Sequence, residues 1–315
     1  MAVKNETRVT HFILLGLSSN PDLQMVFFVM FLSMYLLTIA GNLLIMITIY
    51  MDHQLHTPMY FFLSNLSFID LSFATVTVPR ALHLFLMKIR TISFTDCMTQ
   101  LFFLHVIGGA ECFHLILMAF DRYVAICKPL RYTTIMSRRI CLLLILSTWA
   151  GGLFHAFPQS LPIILLPFCG PNEIDHFLCD GPALSLLACS NTFISQTADM
   201  ANSGLLAIFG FSLLVISYVY IISTILKINS AEGRWKAFST CASHLLVVSF
   251  FFVPIGFVYL KPSASFAADK PLAVFYSLVT PFLNPIIYTM RNERARKAMK
   301  KLGGRTISIF NTHIN

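Results

Sequence analysis

Seven stretches of this chain are apolar over lengths that leave few folds open. They cover roughly 23–50, 58–87, 97–127, 140–166, 194–227, 236–260 and 270–290. A helix needs about 20 mostly apolar residues to cross a hydrocarbon core of about 30 Å, and each stretch supplies them. Backbone in lipid finds no water to bond, so a span is either a helix or part of a closed barrel. Barrel strands are about ten residues of alternating polarity, a pattern absent from these stretches. A mean hydropathy of +0.74 with 57% hydrophobic and only 11% charged residues excludes a soluble globular domain. The expected fold class is an all-α membrane protein, a seven-transmembrane helix bundle.

Basic residues orient such a bundle, because lysine and arginine collect on the cytoplasmic side. With the N-terminus outside, Lys4, Arg8, Arg80, Lys88, Arg90, Lys261 and Lys270 fall on the outer face, and the remaining fifteen of the 22 fall inside. This favours N-out, C-in, and accounts for the net charge of +8 without any nucleic-acid partner. No apolar signal-peptide core precedes Leu23, so the first span is expected to serve as an uncleaved anchor. The expected organisation is an extracellular tail over 1–22, the bundle over 23–290, and a cytoplasmic segment over 291–315. In that last segment Ala295, Ala298, Met299 and Leu302 lie at helical spacing among basic residues. It reads as a short amphipathic helix on the anionic inner leaflet, or else as a solvated basic tail.

The eight cysteines divide by side. Cys97, Cys169, Cys179 and Cys189 fall on the outer face, where disulfides persist, and four cysteines allow three pairings. Three of them lie in the long outer connection over about 167–193, expected to be stapled over the bundle mouth. Asn5-Glu6-Thr7 is a glycosylation sequon on the outer tail.

Charges inside spans are costly and persist where they pair or act. Asp70 and Glu111 are mid-span carboxyls, and Asn42 and Asn284 are amides at similar depth. Two facing carboxyls require a proton or a cation, so these four residues are expected to form one polar cluster holding Na⁺, a shared proton or water. A second reading makes them interhelical glue; a third, proton transport, would need a continuous polar path. Asp121-Arg122-Tyr123 sits where the third span ends, at a cytoplasmic mouth. Pro58, Pro79, Pro254, Pro281 and Pro285 mark bends at which a bundle can hinge. No Ser/His/Asp, Cys/His or metal-ligand spacing supports an enzyme, and no resident cofactor is indicated.

Six strings in order resemble the rhodopsin-like G-protein-coupled receptors, and within them the vertebrate olfactory receptors. They are Gly41-Asn42; Leu55-His56-Thr57-Pro58-Met59-Tyr60; the run from Met118 to Cys127; Ser217-Tyr218; Lys236-Ala237-Phe238-Ser239-Thr240-Cys241-Ala242-Ser243-His244; and Pro281-Phe282-Leu283-Asn284-Pro285-Ile286-Ile287-Tyr288. The resemblance implies a plasma-membrane receptor for a small volatile organic ligand, working through a heterotrimeric stimulatory G protein and cyclic AMP, with arrestin and membrane lipid as further partners. It implies that Arg122 is a switch restrained by Asp121, with Tyr123, Tyr218, His244, Asn284, Pro285 and Tyr288 around it. It also implies the pairings Cys97–Cys179 and Cys169–Cys189. The family commonly has a Phe-Tyr-Gly run in the sixth helix, whereas this chain has Phe251-Phe252-Val253, so the pocket floor is expected to be more apolar.

Helical phase, with Glu111 and Arg122 pointing inward, selects the expected ligand lining. From the third helix it takes Leu104, His105, Gly108, Gly109 and Cys112, the two glycines suiting either a ligand or close packing. The fifth helix offers Asn202, Ser203 and Leu206; the sixth Phe252, Ile255, Gly256 and Tyr259; the seventh Val274, Ser277 and Leu278. His105 with Cys112 also admits a thin copper–thiol reading. The lining is apolar with a few polar anchors, which suits a small volatile molecule.

Overall fold

The computed structural model describes residues 9–87, 90–259, 269–291 and 294–299, apart from some side chains within the helices. Seven helices are long and apolar enough to cross a membrane. They are α1 (Pro21–Met51), α2 (Pro58–Met87), α3 (Phe94–Cys127), α4 (Arg138–Ile164), α5 (Phe193–Leu226), α6 (Ala231–Tyr259) and α7 (269–291). The last is interrupted, running as α-helix over Asp269–Val274, as π-helix over Phe275–Val279, and as α-helix again over Thr280–Arg291.

Helix starts follow local chemistry. The Asn20 side chain accepts from the Asp22 N–H, and Pro21 occupies the first turn, where its missing donor costs nothing. Ser93 caps α3 by accepting from the Asp96 N–H. In α1 the buried positions include Thr38, Asn42 and Thr48, whereas Leu36, Leu37, Leu43, Leu44 and Ile47 face outward. That inversion suits a lipid-facing helix. By contrast α3 carries buried residues along its whole length and forms the axis of the bundle.

The core falls into an outer group around Phe31, Leu101, Phe177 and Leu278, and an inner group around Leu115, Met118, Tyr218 and Phe252. A smaller group at one end of the bundle joins Ile45, Leu55, Tyr60 and Leu63 to Ala295 and Ala298. Residues 294–299 are helical, and their apolar side rests on α1 and α2.

Helical patterning hides what happens at the end of the bundle where α1 begins. A three-stranded sheet caps it in the order β2-β1-β3, with β1 at His11–Leu14, β2 at Thr91–Ser93 and β3 at Glu173–Ile174. β1 runs antiparallel to β2 and parallel to β3. Residues 11–14, expected in a tail, are thus part of the lid, and Phe12 and Leu14 are fully buried. The Phe12 ring meets Phe168 edge-on, with centroids 5.3 Å apart. Disulfides Cys97–Cys179 and Cys169–Cys189 staple the long connection as the resemblance implied. Cys112, Cys127, Cys141 and Cys241 are free thiols.

Candidate functional site

Three polar regions lie along α3. At its C-terminal end, Arg122 Nη2 donates to Asp121 Oδ2 at 2.5 Å, and the hydroxyl of Tyr132 donates to Asp121 Oδ1 at 2.8 Å. Asp121 is 1% exposed, so this charge-assisted set is withdrawn from water. Tyr132 comes from the single helical turn Tyr132–Ile135 in the connection between α3 and α4. Burial and the neighbouring carboxylate raise its phenol pKa, so it stays protonated and acts as a donor. The remaining side of the guanidinium meets α2, where Nη1 lies 2.7 Å from Met59 Sδ.

Tyr123, expected in this latch, is half-buried and faces α5 instead. Its ring lies 6.1 Å from that of Tyr220 on α5, and Lys128 Nζ sits 5.7 Å from its centroid. The side chain is one residue, or about 100°, past Arg122 on the helix. Tyr132 occupies the position sought for it. Nearby, the Tyr218 hydroxyl and His244 Nδ1 bond across α5 and α6 at 2.6 Å. Tyr288 is buried among the same helices, and its hydroxyl has no hydrogen-bond partner among the described residues.

In mid-membrane the Asn284 amide donates to both oxygens of Asp70, at 2.9 and 3.1 Å. Glu111 is 2% exposed and close enough to Asp70 for the two charges to interact. Asn42 departs from the expected cluster, because its amide donates to the Thr38 and Pro281 carbonyls and ties α1 to the bend of α7. Pro285 packs against Gly41, where an added Cβ would stand 3.1 Å from the proline ring. Among the described residues, Glu111 Oε1 and Asn284 Oδ1 are buried without donors, as is Asn42 Oδ1 beside the cluster. An acceptor-only set of this kind suits a hard monovalent cation or a proton.

The other half of α3 carries two glycines in different surroundings and a polar seam to α4. At Gly108 an added Cβ would make ordinary contact with Phe73 Cε2 at 3.7 Å, and at Gly256 it would meet nothing within 4 Å. Gly109 belongs elsewhere: its Cβ would lie 2.9 Å from His155 Cδ2 and 3.0 Å from the Gly152 Cα, so it serves the α3–α4 contact and lines no pocket. His105 Nδ1 pairs with Ser160 Oγ of α4 at 3.2 Å. The Asn202 amide donates to the His155 carbonyl at 2.9 Å, and Gln159 bonds Ser203.

Cys112 lies two turns, about 10 Å, further along α3, with its sulfur 3.5 Å from an added Gly210 Cβ on α5. The copper reading therefore fails, because His105 and Cys112 address different helices. Cys112, Leu206, Phe252 and Ile255 belong to the inner apolar group. Leu104 packs beside Phe73, while Val274 and Leu278 pack in the outer group. Ser277 is buried in the π-helical turn, its hydroxyl without a hydrogen-bond partner among the described residues. The side chain of Tyr259 and all of Asn5 lie outside the described residues.

Above this the lid is anchored by Gln100, which donates to the Val76 carbonyl and accepts from the Cys179 N–H. Lys270 at the head of α7 pairs with Asp175 in the long connection at 2.6 Å. Met59, Tyr132, Gln100, Gln159 and Ser160 escape sequence reasoning. Each makes its contact across helices, a relation that helical phase does not encode.

Comparison with known proteins places these features in a lineage. The sequence profile described as "Olfactory receptor" matches residues 31–304. Human "Olfactory receptor 4E2" is 50% identical over 303 residues, covering 96% of each chain. Human "Olfactory receptor 4K3" is 51% identical over 302 residues, again 96% of each. The mouse "Olfactory receptor 4E2" is 49% identical, covering 98% of this chain and 99% of its own.

Proposed function

The chain belongs to the olfactory receptor family, and we propose that it couples a small, mostly apolar volatile ligand outside to nucleotide exchange on a stimulatory G protein inside, raising cyclic AMP. The N-terminus is outside and the C-terminus is cytoplasmic. Ligand enters the space near Gly108, Cys112, Phe252, Ile255 and Gly256. A ligand shifts a two-state bundle only by its differential affinity for the two states. Seating an apolar molecule between α3 and α6 supplies that difference by altering how those helices pack.

The observation that carries this reading is the closed set at the base of α3. Asp121 holds Arg122 and is itself held by Tyr132, while Tyr218 is occupied by His244 and the Tyr288 hydroxyl is unsatisfied. Opening this set releases Arg122 toward the G protein and offers Tyr288 a partner. The interrupted α7 supplies the bend, since π-turns recur at functional sites. The Asp70 region holds Na⁺ or a proton at rest, and its loss accompanies opening. Lipid contacts the outward leucines, and arrestin meets the same cytoplasmic mouth.

A cyclic-AMP reporter in cells displaying the protein, run across an odorant panel, tests the proposal. Dose-dependent signals that vanish in Arg122→Ala are expected. No signal from any odorant and no basal signal, with Arg122→Ala matching the parent, would overturn it.

A further inference from the structure

We propose that Met59 is a positioning residue of the switch: its thioether sulfur accepts a hydrogen bond from Arg122 and holds the guanidinium toward α2 in the resting state. This rests on the reading of Arg122 as the switch. Among the described residues, Arg122 has two side-chain hydrogen-bond partners, Asp121 Oδ2 at 2.5 Å and Met59 Sδ at 2.7 Å. Asp121 is the adjacent residue on the same helix. Asp121 is held in turn by Tyr132 from the connection after α3, so this pair sets no relation between α3 and α2. Met59 is the partner on another helix, so it is the contact that opposes displacement of Arg122 from α2.

The sulfur is firmly placed. Met59 is the second residue of α2, behind Pro58, and the turn before it is pinned by the Leu55 N–H to the Asp52 carbonyl and the Phe61 N–H to the Thr57 carbonyl. Leu55 is 1% exposed and anchors that turn in the group around Tyr60 and Leu63. Met59 packs against the same group as Tyr288 and Met299. The side chain that meets the arginine thus rests on the same apolar group as Tyr288 of α7.

The chemistry fits a group that must let go. A thioether is a neutral, weak and polarizable acceptor. It orients a cation without the hold of a carboxylate, whose charge-assisted bonds are roughly twice as strong as neutral ones. An oxygen acceptor at this place would bind Arg122 harder, and an aliphatic side chain would not orient it at all.

The alternative, that Met59 only fills space, predicts a different outcome for two variants. Met59→Leu keeps an apolar side chain and removes the acceptor, while Met59→Gln keeps an unbranched chain and substitutes an oxygen. Ligand-free cyclic AMP is measured in cells with a stimulatory G protein, per receptor at the surface, beside Asp121→Asn and Arg122→Ala. Met59→Leu is expected to raise the basal signal about two- to fivefold, as loss of one weak hydrogen bond from one of two states would. Met59→Gln is expected to fall below Met59→Leu, to the parent level or lower, and Met59→Leu with Arg122→Ala to match Arg122→Ala. Should Met59→Leu reach the surface poorly, Met59→Ile removes the same acceptor and carries the same comparison.

Parent-level signal from Met59→Leu, or equal rises in the leucine and glutamine variants, overturns the proposal while leaving the receptor reading intact if Arg122→Ala still silences the protein. If Arg122→Ala and Asp121→Asn both behave as the parent, the switch reading itself is lost and Met59 has nothing to position.

Discussion

Gly152→Ala tests how closely α3 and α4 are matched. A Cβ at Gly152 would stand 2.3 Å from the Val106 carbonyl oxygen, 2.7 Å from the Ala110 nitrogen and 3.0 Å from the Ala110 Cβ. Ordinary carbon–oxygen approach is about 3.3–3.6 Å, so the helices must part by about 1 Å at this point. No side chain can swing aside, because the nearest obstacles are α3 backbone. Thr148, Gly152 and Ala156 recur at four-residue spacing and are all buried, the small-residue face by which membrane helices approach closely. Overpacking costs about 1–3 kcal/mol, and this rigid case belongs at about 3. Alanine returns about 0.5–1 kcal/mol as the better helix former. A net loss of about 2 kcal/mol should lower the unfolding midpoint of the detergent-purified protein by about 4–8 °C, followed with a thiol-reactive dye on the free cysteines. Gly204→Ala is the control, since nothing lies within 4 Å of its added Cβ. Midpoints for the two variants within about 1 °C of each other would refute the reasoning.

Asp121→Asn removes a buried anion that accepts from both Arg122 and Tyr132. With hydrogen bonds to charged groups worth about 1.5–3 kcal/mol, the resting state should lose about tenfold in population ratio. The expected rise in ligand-free cyclic AMP is checked at matched surface amounts, and an unchanged signal counts against the latch. Phe12→Ala empties a fully buried site between the Phe94 and Phe168 rings. It should cost about 3–5 kcal/mol and expose β1 to added protease on intact cells; cleavage at the parent rate would mean that the strand is not seated. Sodium chloride in place of choline chloride should raise the parent's unfolding midpoint and leave Asp70→Asn unmoved. A parent indifferent to sodium removes the cation from the Asp70 region.

The seven spans were legible because lipid imposes one simple rule on composition, satisfied independently by each stretch. β1 was illegible for the opposite reason. His11-Phe12-Ile13-Leu14 becomes a strand only by pairing with Thr91–Ser93 and Glu173–Ile174, partners remote in sequence that carry no local signal of their own. Strand preference of this kind measures context rather than backbone. The disulfide pairing came from family likeness and not from spacing, since four outer cysteines permit three arrangements.

Inside the bundle the limit was angular. Gly108 and Gly109 are one residue apart, hence about 100° apart on α3. An added Cβ at the first would make ordinary contact with Phe73, and at the second would meet His155 and Gly152 within 3.0 Å. Helical phase orders the faces of α3, but it does not say which neighbour stands opposite each face. The same gap placed Tyr123 in the latch and left out Tyr132 and Met59. A lone polar side chain in a span announces itself by its cost in lipid, as Asp70 and Glu111 did. Met59 carries no such cost, so nothing in an apolar stretch marks it. Its role is defined wholly by the cation it meets, 63 residues away. Residues of this kind, ordinary in type and particular in contact, are where a receptor's resting equilibrium can be adjusted without altering the motifs that identify it.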